Sequence, residues 1–259
     1  MTTRARGAVV AALTVTGLVV PALLFVAQYP RWWVWIAQEQ VPMTWFQSVA
    51  LVLAGAVSLL AWFVSRTADV TPRSGFALLA VGFAALAFDE RFAVHERVRD
   101  GVLAPRGVRL PLLTWIAPGD FLLVLVAACG LLLLPLVLRT IRVDRWARTL
   151  FGIGVALSLV AVGTDSIDPG SWSVGAERVQ QSLEECIELW AGLSYLGAVT
   201  LRLMSLVTEH VTPAGIADPA PREGRAATAN PAGSANPTPS EDAAGATGGS
   251  GAPAEESVR

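Results

Sequence analysis

Residues 86–100 read LAFDERFAVHERVRD, and this stretch decides how the rest of the chain is read. A long apolar run stops here. Within a few helical turns it is replaced by Asp89, Glu90, Arg91, His95, Glu96, Arg97 and Arg99, including one of only two histidines in the protein. Two later places answer it. Asp165 and Asp168 stand where another apolar run ends, and Glu184, Glu185 and Glu188 stand where the last one begins. The reading that follows is a bundle of membrane helices whose ends carry these groups to one face.

Composition sets the class. Hydrophobic residues make up 53% of the 259 positions and charged residues 15%, against roughly 25% charge in an ordinary soluble domain. This is the composition of a membrane protein. A net charge of −2 leaves no basic surplus for a phosphate backbone, so nucleic acid is not an expected partner. All 19 basic residues are arginine. Without lysine there is no Schiff-base chemistry or lysine nucleophile. Cys129 and Cys186 fall in separate apolar runs at different expected depths, which argues against a disulfide or a thiolate metal site.

Hydropathy predicts six spans, at about 8–27, 46–64, 75–94, 120–138, 149–165 and 183–207. A run of about 20 apolar residues is enough to cross a bilayer core. The first follows Arg4 and Arg6 as a signal peptide would, but it is longer than a signal core and reads as a retained helix. Between the first two lies YPRWWVWIAQEQVPMTW (29–45), whose tryptophans suit the headgroup level. Asp120 is placed to cap the fourth span. Arg139, Arg142, Arg145 and Arg148 share the next connection with one acid, Asp144, and such an arginine-rich hairpin belongs in the cytoplasm. Both termini then lie in the cytoplasm, and the acidic helix ends lie outside.

The fold expected is an all-α polytopic bundle over residues 1–210. A tail over 211–259, rich in Ala, Pro, Gly, Ser and Thr, has too little apolar surface to order itself. The location expected is a bacterial plasma membrane.

At the outer ends, Asp89, Glu90, Glu96, Asp165, Asp168, Glu184, Glu185 and Glu188 face Arg91, Arg97 and Arg99, eight acids to three bases. Arginine alone leaves an uncompensated negative cluster of the kind that a metal or a proton occupies. A helix turns about 100° per residue, so on one continuous helix Asp89 and Glu96 point the same way. The metal-ligand set expected is Asp89, His95, Glu96, Asp165, Glu184 and Glu188, with Glu90 and Glu185 as spare acid or base. Carboxylates with one imidazole suit Zn, Mn, Fe or Ca. The reaction class is hydrolysis or other acid–base chemistry on a lipid-like substrate. A cation- or proton-coupled transporter, a scaffold or sensor subunit, and a purely structural ionic lattice remain open, as does the oligomeric state.

The run DERFAVHE (89–96), with EECIE (184–188) much later, resembles a pattern of uncharacterised bacterial multi-pass membrane proteins. The resemblance implies the architecture and no particular activity. Better known families fit less well. Zinc hydrolases of the alkaline ceramidase type carry several histidines, whereas His95 and His210 are the two present. Intramembrane CAAX-type proteases follow a double Glu closely with Arg, whereas Glu188 follows Glu184 and Glu185 here.

Overall fold

The computed structural model describes residues 2–68, 73–109, 111, 119, 121–165 and 172–211. They form seven α-helices: α1 (Thr3–Ala27), α2 (Pro42–Thr67), α3 (Ser74–Phe92), the short α4 (Val94–Val98), α5 (Phe121–Ile141), α6 (Arg145–Asp165) and α7 (Val174–Val211). No strand occurs among the described residues. Helices α1, α2, α5, α6 and α7 are long and apolar enough to cross a membrane. Helix α3 lies against α2 and α5, and its apolar body ends in Asp89, Glu90 and Arg91.

Helix α7 organises the bundle by packing against α6, α2 and α1. The main core joins Leu51 and Ala54 of α2, Leu79 and Phe83 of α3, Phe151 of α6, and Tyr195 and Leu201 of α7. The outward faces of α1 and α5 stay apolar, as Val26 and Leu132 show by their exposure. Apolar residues on both faces are what a helix in lipid needs. Association there rests on close packing, because hydrocarbon offers no hydrophobic drive. Gly154 supplies such a contact. A Cβ at this position would meet the Tyr195 ring at 2.7 Å, while Tyr195 Oη is fixed by Ser158 at 3.0 Å. Gly154→Val should therefore destabilise the protein by about 1–3 kcal/mol, read as a lower melting temperature in detergent. Gly152 meets nothing, so Gly152→Ala should leave that temperature unchanged.

The arginine-bearing end is held by Asp144. Its Oδ1 accepts from the N–H groups of Trp146 (2.8 Å) and Ala147 (3.2 Å), which caps α6. Its Oδ2 accepts from Ser205 Oγ of α7 at 2.6 Å and pairs with Arg6 of α1 at 2.8 Å. One carboxylate thus ties three helices. Burial alone would raise its pKa, but Ser205, the two backbone N–H groups and Arg6 outweigh that and hold it below the usual carboxylate range.

Three expectations from the sequence change. The last helix begins at Val174 instead of near residue 183, and α2 begins at Pro42 instead of near 46. The charged stretch after α3 is not one continuous helix. Ala93 adopts a left-handed conformation (φ 46°, ψ 50°) between α3 and α4, so Asp89 and Glu96 no longer share a helical face. The tail from 212 onward, the Asp120 cap and Asp168 lie outside the described residues.

Candidate functional site

The break at Ala93 has a local cause in Asp89. Its Oδ1 accepts the backbone N–H of His95 and its Oδ2 meets His95 Nδ1, both at 2.8 Å. The carboxylate therefore caps α4 and holds the imidazole at once, offsetting the cost of a left-handed alanine. Burial opposes a charged imidazole, but the hydrogen bond and charge of Asp89, helped by Glu96 and Asp165, raise the pKa of His95 above its ordinary value. The stability this contributes is complete below the ordinary histidine pKa of about 6.5 and is lost as pH rises through the folded value. In a histidine NMR titration His95 should titrate above the free value, and Asp89→Asn should bring it down.

With Asp89 turned away to His95, Glu90 points between α3 and α7. There it meets Glu185 and Glu188, one turn apart on α7. One carboxylate oxygen from each of the three lies within 4.8 Å of the others. Glu185 is 6% exposed. None of the three has an arginine partner among the described residues. Two like charges at this spacing repel by about 3–4 kcal/mol at an effective dielectric constant near 20. The trio therefore needs a cation or shared protons.

Gln47 of α2 lies beside the trio and is 1% exposed. Its Nε2 donates to the Glu185 carbonyl (2.8 Å), to Glu185 Oε2 (3.0 Å) and to Glu188 Oε2 (3.4 Å). Its Oε1 is buried with no hydrogen-bond partner. An amide aims at the carboxylates, and its oxygen is left over as a further hard donor.

The other predicted residues form a ring around this centre. Glu184 accepts from Gln180 Nε2 at 3.0 Å, and Gln180 also reaches the Thr164 carbonyl of α6 at 3.3 Å. Asp165, half-buried at the end of α6, lies within electrostatic reach of Glu184 and His95. Glu96 pairs with Arg99 at 3.3 Å. The structure thus brings together Glu90, Glu185 and Glu188, while Asp89 and His95 satisfy each other. Glu96, Asp165 and Glu184 lie outside the tight set.

Two residues escaped the sequence reading. Gln47 is a polar side chain inside an apolar span, a signal in its own right. Glu39 is the one acid of the tryptophan-rich connection. The residue sits in an exposed turn, but protein crowding its carboxyl and then the charge of Glu96 raise its pKa to about 7. That value suits proton exchange near neutrality.

No curated protein and no solved structure matches the chain. A family model described as a domain of unknown function, DUF8692, matches residues 6–203, which include every residue of the site and all of the bundle but the first residues of α1 and the last turns of α7. The chain belongs to the DUF8692 family.

Proposed function

We propose that the protein binds a divalent cation between α3 and α7, with Glu90, Glu185 and Glu188 as ligands and Gln47 as the amide that orients them. The observation carrying this reading is the convergence of three carboxylates within 4.8 Å without a basic partner among the described residues. The donor set is all oxygen, since among the described residues no histidine nitrogen joins the three carboxylates within that distance. Oxygen ligands suit Mg2+, Ca2+ or Mn2+ better than Zn2+. In this reading the acid-bearing end faces outward from a bacterial plasma membrane and the arginine end faces the cytoplasm.

The chemistry proposed at the centre is acid–base, with Glu39 as the group that exchanges a proton near neutral pH and the Asp89–His95 pair as a second. A lipid-like substrate fits the surroundings. An apolar groove of about 520 Å³ between α6 and α7, lined by Trp172, Val179, Leu183 and Ile187, also has Gln180 and Glu184 in its wall. A chain could lie in that groove with its polar end at the carboxylates.

Elemental analysis of the protein purified without chelator tests the proposal. One ion per chain is expected, lost in Glu90→Gln and Glu185→Gln and retained in His95→Ala. A metal-free protein that binds no added Mn2+ or Ca2+, but supports proton-dependent uptake in vesicles, would move the assignment to transport.

A further inference from the structure

Ser182 breaks a pattern that the other serines of α2 and α7 largely follow. A serine inside an apolar helix usually returns its hydroxyl to the carbonyl one turn back. Ser48, Ser58, Ser65 and Ser194 all do so, at 2.7–2.8 Å, and Ser205 instead serves Asp144. Ser182 is 7% exposed, and its Oγ has no hydrogen-bond partner among the described residues. A hydroxyl left this way costs on the order of 1–3 kcal/mol.

The same serine lines a second apolar groove, of about 360 Å³, on the side of α7 that faces α1 and the tryptophan turn. Phe25 and Trp32, stacked with centroids 5.6 Å apart, line it together with Ile36, Leu183 and Cys186. It shares Val179 and Leu183 with the groove lined by Glu184, but takes in α1 and the tryptophan turn instead of Gln180 and Glu184. Arg178 lies one helical turn from Ser182 in the direction of the α7 N-terminus, about 6 Å along the axis. Its guanidinium sits 3.9 Å from the centre of the Trp33 ring, and it has no carboxylate partner among the described residues. A guanidinium stacked on an aromatic face keeps its in-plane donors available for an anion.

Arg178, Ser182 and Cys186 thus form one stripe down α7: a cation at the level of the tryptophans, a lone hydroxyl one turn deeper, then apolar wall. We propose that this groove binds an anionic glycerophospholipid, with its phosphate at Arg178, an ester carbonyl accepting from Ser182 Oγ and an acyl chain along Leu183, Cys186 and Ile36. A free fatty acid has one polar end and cannot supply both acceptors a turn apart. A zwitterionic phospholipid supplies both, but its headgroup cation offsets the attraction to Arg178.

The two cysteines give the test. Cys186 lines the groove, whereas Cys129 is exposed on α5 and serves as an internal reference. Full-length protein in detergent is alkylated with a maleimide in the presence of phosphatidylglycerol, phosphatidylcholine or oleate, and the rate at Cys186 is read against that at Cys129. Phosphatidylglycerol should slow Cys186 selectively, at about a tenth of the concentration that phosphatidylcholine requires. Arg178→Gln should erase that preference, and Ser182→Ala should weaken protection by phosphatidylglycerol about fivefold, the worth of one hydrogen bond. The comparison of lipids on the unmodified chain stands even if a variant folds poorly. Equal protection by phosphatidylcholine or by oleate, or protection unchanged in both folded variants, would overturn the proposal.

Discussion

Glu188→Gln should melt at a higher temperature than the unmodified protein in chelator and at a lower one in saturating Mn2+. In chelator near pH 8, Glu90, Glu185 and Glu188 crowd negative charge into one buried spot. Neutralising one member relieves repulsion of about 3–4 kcal/mol per pair at most, and less where a proton is already shared. A neutral amide of the same shape keeps the packing. With the ion present the balance reverses. A ligand at a hundred times its Kd stabilises the native state by about 2.7 kcal/mol, and the variant forfeits this. At roughly 2–4 °C per kcal/mol for a chain of this size, the loss in Mn2+ amounts to several degrees in thermal melts, and the gain in chelator is smaller and grows as pH rises. A structural lattice of acids behaves differently, since Glu188→Gln would then melt lower in both buffers.

The second large effect lies at the opposite end of the bundle. Asp144→Ala should lower stability by about 3–5 kcal/mol, the usual cost of removing one partner from a buried ion pair. Asp144 is 5% exposed. Its loss takes away the α6 cap and leaves Ser205 and Arg6 without their shared acceptor. Asp144→Asn should lie between, because an amide oxygen still caps the helix. The pH dependence has a definite sign. A carboxylate held below its ordinary value contributes stability above the unfolded pKa, near 3.9, and loses it as pH falls through the folded value. Denaturation in detergent across pH 3–7 should show the unmodified protein falling toward Asp144→Ala only at the acid end.

Much of the bundle was legible because apolar runs ending in acids state where helices stop. Two runs end at Asp89 and Asp165 and the last begins at Glu184 to Glu188, which places the acid-bearing parts of α3, α6 and α7 at one end, and their side chains do gather there. The composition of the centre was less legible. Alanine is a strong helix former, so nothing at Ala93 announces a left-handed residue. The break arises because a carboxylate four residues earlier finds two donors in His95. Without that break, helical angles place Glu96 beside Asp89. With it, Glu90 enters the centre and Glu96 turns to Arg99.

The early start of α7 was hidden for another reason. Residues Glu177, Arg178, Gln180 and Gln181 depress hydropathy even though they are good helix formers. The helix reaches 38 residues, or about 57 Å, nearly twice a bilayer core of about 30 Å. Its polar first turns therefore have room beyond the apolar level while still forming one wall of each groove. Glu39 and Gln47 carry no spacing motif: Gln47 shows in the sequence only as a polar residue inside an apolar span, and Glu39 is revealed by packing alone.

The most direct test of the centre is a titration of purified protein with Mn2+, counting bound ions by electron paramagnetic resonance, in the unmodified chain and in a Glu90→Gln, Glu188→Gln double variant with unchanged helical circular dichroism. One bound ion per chain in the first and none in the second is the predicted result. Binding that survives the double variant, or that disappears instead with His95→Ala, would contradict a carboxylate centre between α3 and α7.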